Sequence, residues 1–144
     1  MQAAVGCAQL KKFPAFVERR RHNFDRMLAG LQNVQDKLIL PVPCENSRPS
    51  WFGFLMTCRE GVDREKVVRY LEAKGVQTRM LFAGNLIKHP CFNQLRASDN
   101  GYRVAGNLAN TDRIMKDTFW VGVYPGMTDE KIDYMVKYIK EAVK

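Results

Sequence analysis

The chain has 144 residues, 46% of them hydrophobic and 10% aromatic, which suits one compact domain with a modest core and excludes the disordered class. Its 23 Lys and Arg against 15 Asp and Glu leave a net charge of +8, which by itself favours an anionic partner such as nucleic acid, phosphate or a membrane surface. No apolar run approaches the roughly 20 residues of a membrane-spanning helix, so a soluble protein is expected.

Residues 1–12 place Ala3, Ala4, Val5, Cys7, Ala8 and Leu10 at helical spacing, with small residues that allow close packing. No Ser, Thr, Asp or Asn caps this helix, so either a short protein starts abruptly or Met1 is an internal residue of something longer. Pro14 lacks a backbone donor and is best tolerated in a first turn, so it predicts a break and a second helix from about Pro14 to Leu31, bent against the first. The one basic cluster, ERRRH at 18–22, lies on the polar side of that second helix, opposite Phe13, Phe16, Val17, Phe24, Met27 and Leu28. It reads as a solvated face.

LILPVP, closed by Pro41 and Pro43, suits an edge strand, and SWFGFLMTCR at 50–59 is the densest β-favouring run and suits a central one. Asp63 as N-cap and Gly75 as C-cap bracket a helix with Val67, Val68 and Leu71 inward, and a strand VQTRML follows. The stretch from Ala83 to Asn100, with Gly84, Pro90 and Asn93, predicts a long ordered loop holding a helical turn, a kind of segment that often carries function. NLANTDRIMKD then suits a short helix and TFWVGVY a strand. PGMT delivers Thr128 as the cap of a last helix whose inward stripe is Ile132, Met135, Val136, Ile139 and Val143. The order is that of an α+β fold, a short antiparallel or mixed sheet with helices on one face, preceded by a long bent helical segment.

Cys7, Cys44, Cys58 and Cys91 are spread without C-x-x-C pairing and read as reduced thiols, and His22 and His89 supply no ligand motif, so no metal is expected within this chain. No P-loop, G-x-G-x-x-G, G-x-S-x-G or H-E-x-x-H occurs. The informative stretch is TRMLFAGNLIKHPCF at 78–92. It brings Arg79, Phe82 and Asn85 close in sequence around a turn: a guanidinium fork, an aromatic face and an amide, suited to an anionic or sugar ligand. The alternative is that Arg79 makes an internal salt bridge and Asn85 stabilises the turn.

MQAAVGCAQLKK and RRRHNFDRML resemble the segment of sugar aminotransferases and dehydratases, in the fold-type I PLP-dependent aspartate-aminotransferase superfamily, where the large domain hands over to the small one. TRMLFAGNLIKHPCF and NLANTDRIMKDTFWVGVYPGMTDEKIDYM are similar to a narrower branch, the RfbH-type CDP-4-keto-6-deoxyglucose 3-dehydrases of lipopolysaccharide O-antigen and dideoxysugar synthesis. The resemblance covers essentially the whole chain. It implies a C-terminal small domain at 32–144, joined to the large one through a helical segment at 1–31. Val5, Cys7, Ala8 and Leu10 would then pack against the large domain or a second subunit.

The resemblance further implies a complete enzyme that removes the C3 hydroxyl of CDP-4-keto-6-deoxyglucose. It would use pyridoxamine 5'-phosphate and a [2Fe-2S] cluster, take electrons from an iron-sulfur flavin reductase, and work as a cytoplasmic homodimer with no nucleic acid or membrane partner. The catalytic base, the cofactor anchors and the cluster cysteines would all precede this segment, so none is expected here and the fragment alone should be inactive. Arg79, Phe82 and Asn85 are its expected substrate-binding residues. The competing reading is a free-standing basic module for nucleic acid or an acidic partner, which requires Arg19, Arg20 and Arg21 to form a continuous patch with Lys11, Lys12 and exposed aromatics.

Overall fold

The computed structural model describes residues 1–98 and 101–144; Asn100, at the expected end of the long loop, lies outside them. Helix α1 (Gln2–Leu31) is continuous, and Pro14 lies inside it rather than dividing it. The expectation of two helices in series is corrected for a simple reason. Residues 1–16 are exposed throughout, so water can take the carbonyl that the proline leaves without a partner. Phe13 and Phe16, expected inward, are exposed with the rest of this half, as are Val5 and Leu10. Farther along, Phe24, Met27 and Leu31 are buried in the same core as the sheet, so the last third of α1 is built into the α+β body.

Among the described residues there are four strands, β1 (Leu38–Ile39), β2 (Gly53–Cys58), β3 (Thr78–Met80) and β4 (Thr118–Gly122), in spatial order β1-β2-β4-β3 and antiparallel throughout. Of the two sheet types left open by the sequence, this is the antiparallel one. The pleat divides the side chains in two. Phe54, Met56 and Cys58 of β2 and Phe119 and Val121 of β4 point to the buried face, where the large side chains each stabilise the fold by about 1.5–3 kcal/mol. Val67 and Leu71 of α2 (Arg64–Ala73), Ile132, Val136 and Ile139 of α5 (Asp129–Ala142), and the end of α1 complete that core.

Local signals set the ends of these elements as the sequence implies. Asp63 caps α2 by accepting from the Glu65 amide at 2.9 Å, Gly75 follows α2 at φ +74°, and Thr128 caps α5. Between β3 and α4 (Ala109–Asp117) run two 3-10 turns and the short α3 (Asn93–Ser98). No helix among the described residues is long and apolar enough to cross a membrane.

The ERRRH cluster is not a solvated face. Arg19 donates to Asp129 Oδ1 at 2.7 Å and to the Met127 carbonyl at 2.9 Å, and His22 Nε2 lies 3.0 Å from the same carboxylate oxygen. Arg21 donates to the Arg48 and Pro49 carbonyls, and Arg26 grips Asp133 through two 2.8 Å bonds. Beneath them the fully buried Asn23 donates to the Tyr124 carbonyl at 2.8 Å. The cluster faces inward because α5 begins with acids and the turn before it presents bare carbonyls, which no local sequence pattern reveals. A nucleic-acid or acidic-partner module would need these same cations free.

His22 and then Arg19 hold the Asp129 carboxyl below the usual aspartate value, and Arg26 does the same for Asp133. Carboxyls depressed in the folded state contribute stability that is complete above about pH 4 and is lost as pH falls through the lower folded values. In acid-unfolding curves followed by circular dichroism, the wild-type chain should therefore lose more stability below about pH 4 than the Asp129→Asn, Asp133→Asn double variant.

Candidate functional site

The face of the sheet opposite the core carries Leu55 and Trp120, both partly exposed and paired directly across β2 and β4. Trp120 is fixed from three sides. Its ring lies over Gly53, where a Cβ would stand only 2.6 Å from Cε3; Phe52 meets it edge-on at 5.3 Å and 88°; and its Nε1 donates to the Met80 carbonyl at 3.2 Å. Gly53 is the residue that allows the indole to lie flat there. Two open clefts share this ring. One, of about 560 Å³, is bordered by Arg79, Tyr124, Lys131 and Tyr134; the other, of about 450 Å³, by Val42, Phe52, Leu55 and Phe82.

Arg79 sits directly across from Trp120 in the β3–β4 register, is exposed, and has no ion-pair or hydrogen-bond partner among the described residues. The internal salt bridge that the sequence left open is not made among the described residues. Phe82 follows, 78% exposed, at φ +47°, a left-handed conformation that a side chain of this size adopts only under constraint. Arg79 and Phe82 thus border different clefts, one on each side of Trp120.

Asn85 is turned the other way. It is 2% exposed, its amide donates to Asp112 Oδ1 on α4 at 2.7 Å, and its backbone N–H points at Met115 Sδ at 3.3 Å. Lys88 reaches the same Asp112 oxygen at 2.8 Å, and first Lys88 and then Asn85 hold the Asp112 carboxyl below the usual aspartate value. The structure therefore does not unite the three residues singled out in the sequence. It leaves the guanidinium and the aromatic ring open and uses the amide to brace the turn.

Trp120, Lys131 and Asp112 were missed by sequence reasoning. The outward place of Trp120 follows from alternation, since Phe119 and Val121 take the core face, but its seat on Gly53 depends on a register 60 residues wide. Nothing local marks Asp112 as a partner of Asn85.

The profile of the DegT/DnrJ/EryC1/StrS aminotransferase family matches residues 1–140. The chain belongs to that family. It is 49% identical, over 98% of its own length, to the lipopolysaccharide biosynthesis protein RfbH of Salmonella typhimurium, and 46% identical over 99% to the dTDP-4-dehydro-2,6-dideoxy-D-glucose 3-dehydratase of Saccharopolyspora spinosa. It spans 32% and 30% of those two proteins, about a third of each. Among solved structures, the Escherichia coli GDP-4-keto-6-deoxy-D-mannose-3-dehydratase with bound hydrated PLP superposes at a TM-score of 0.77 and 29% identity, covering 94% of this chain and 34% of that one. The α+β fold described above is thus a part of a PLP-dependent aminotransferase-like fold.

The two histidines present here are not placed to serve as the base of such a site. A PLP-type site needs a base, a partner for the pyridine nitrogen and a phosphate cradle around one cavity. In this member of the family His22 is bonded to Asp129 and His89 to the Ala83 carbonyl, and neither borders the two clefts. The cysteines do not fit an iron-sulfur cluster either. Cys58 is in the core, where burial pushes its thiol up to about 11, and no group of three or more His, Cys, Asp or Glu among the described residues is placed to hold a metal ion.

The contrast between Arg79 and Asn85 can be measured. Arg79→Ala should leave stability within about 0.5 kcal/mol, as for a surface residue without partners, whereas Asn85→Ala should cost about 1–3 kcal/mol by leaving a buried hydrogen bond unmade. Urea unfolding of the two variants under identical conditions checks both values.

Proposed function

We propose that this chain is the C-terminal third of a nucleotide-sugar 3-dehydrase that removes the C3 hydroxyl of CDP-4-keto-6-deoxyglucose in the cytoplasm, on the way to dideoxysugars of the O-antigen. The observation that carries the reading is near-half identity, sustained over almost the entire chain, with a lipopolysaccharide biosynthesis protein and a nucleotide-sugar 3-dehydratase. In the whole protein, pyridoxamine 5'-phosphate would supply an electron sink and a [2Fe-2S] cluster would supply redox chemistry, with an iron-sulfur flavin reductase as the source of electrons. Both cofactors are held by residues outside these 144. The exposed first half of α1, with Val5 and Leu10 uncovered, packs against the large domain or against the other subunit of a homodimer.

The part left to this chain is one wall of the substrate site. Arg79 and Lys131 border one cleft, which Glu130 also lines, and present two cations that suit a diphosphate; a guanidinium fork also fixes its orientation. Trp120 and Phe82 present aromatic faces on which a pyrimidine or a sugar ring can rest. Asn85 acts from behind, by shaping the turn that carries Phe82.

The test is turnover of CDP-4-keto-6-deoxyglucose by the full-length protein with pyridoxamine 5'-phosphate and the reductase, alongside cofactor absorbance of the 144-residue chain alone. The full-length protein should dehydrate the sugar, Arg79→Ala should weaken sugar-nucleotide binding by about 1.5–3 kcal/mol, and the isolated chain should bind no cofactor. Stoichiometric cofactor binding by the isolated chain, or a full-length protein that leaves this sugar intact, would sink the reading.

A further inference from the structure

The β3–α4 connection combines features that a passive loop does not need. Phe82 is held at φ +47° although the residue is 78% exposed and so gains little from its own packing. A left-handed non-glycine residue costs on the order of 1–2 kcal/mol, and it persists only where its surroundings over-determine it. The residues that follow Phe82 are held against α4. Gly84, at φ +62°, lies so close to Met115 that a Cβ would overlap that side chain, and the next amide points at the Met115 sulfur. One oxygen, Asp112 Oδ1, then accepts from both Asn85 at 2.7 Å and Lys88 at 2.8 Å. Further on, His89 bonds the Ala83 carbonyl and Arg96 donates to the Ile87 and His89 carbonyls, so the segment is tied to itself as well.

Two of these ties meet at a single atom, 27 residues from Asn85 in the chain. We propose that Asp112 is the positioning residue of the substrate loop: by holding Asn85 and Lys88 together, it fixes Phe82 beside Trp120 in the geometry that meets the sugar nucleotide. Asp112 does not itself line either cleft that Trp120 borders, so it acts through the residues it holds. The role given to the ligand rests on the function proposed above; the clamp itself does not. A residue that only preorganises a binding surface adds to ground-state and transition-state binding alike, so its loss raises KM and spares kcat.

The experiment uses the full-length holoenzyme with Asp112→Ala, Asp112→Asn and Lys88→Met, reading steady-state kinetics on CDP-4-keto-6-deoxyglucose and hydrogen exchange of the 82–92 backbone. Asp112→Ala should raise KM roughly tenfold with kcat within about twofold, the scale of one charged hydrogen bond, and should speed exchange within 82–92 while the β2 and β4 amides stay protected. Asp112→Asn keeps an acceptor for Asn85 and should recover most of the KM, with Lys88→Met falling between. Unchanged KM and exchange in Asp112→Ala, or faster exchange spread over the whole sheet, would overturn the proposal. Should the wild-type holoenzyme leave this sugar untouched, the reading of the whole protein fails and the exchange measurement alone decides the clamp.

Discussion

The antiparallel ladder between β2 and β4 is the constraint on which the remaining arrangement rests. It joins residues 53–57 to 118–122 across some 60 intervening positions, and its register decides which side chains face the core and which face outward. With Phe54 opposite Val121 and Met56 opposite Phe119, the buried face is continuous and apolar. The same register places Leu55 beside Trp120 and Gly53 under the indole. A slip of one residue would exchange the two faces, burying Trp120 and expelling the phenylalanines. The entropy of closing so long a loop is offset only when that face meets α1, α2 and α5 together, so sheet and helices stabilise one another.

The junction of α1 and α5 shows how a charge excess can be consumed internally. Arg19, His22 and Arg26 answer Asp129, Asp133 and the Met127 carbonyl around the start of α5, over the buried Asn23, while Arg21 takes the Arg48 and Pro49 carbonyls ahead of β2. Each exposed pair contributes little, but the arrangement fixes the direction in which α1 leaves the body. That direction matters if the uncovered half of α1 meets the remainder of a longer protein. Helix and sheet present two separate open surfaces, the apolar residues of α1 and the aromatic face around Trp120.

The candidate site was legible only where its signal is local. Arg79 and Phe82 stood out because a cation and an aromatic ring near a turn have a chemistry of their own, and both are open to a ligand. Asn85 carries the same kind of signal, yet its direction is set by Asp112, and a one-dimensional pattern does not record which way an amide turns. Trp120 went unnoticed for the opposite reason. In TFWVGVY it looks like one more core residue, and only the pleat of a paired strand puts it on the face away from Phe119.

By itself the sequence determined the elements whose causes lie within a few residues: the caps at Asp63 and Thr128, the reversal at Gly75, the inward stripes of α2 and α5, and strands of the right composition at 53–58 and 118–122. Its motifs also carried the family resemblance. The tertiary structure alone decided that Pro14 leaves α1 intact, that the arginines after Glu18 turn inward, that the sheet is wholly antiparallel, and that Asn85 serves Asp112. The division has one physical origin. Propensity and capping act between near neighbours in the chain, whereas solvent exposure, strand register and the partner of a polar side chain are fixed only once segments tens of residues apart have been brought together.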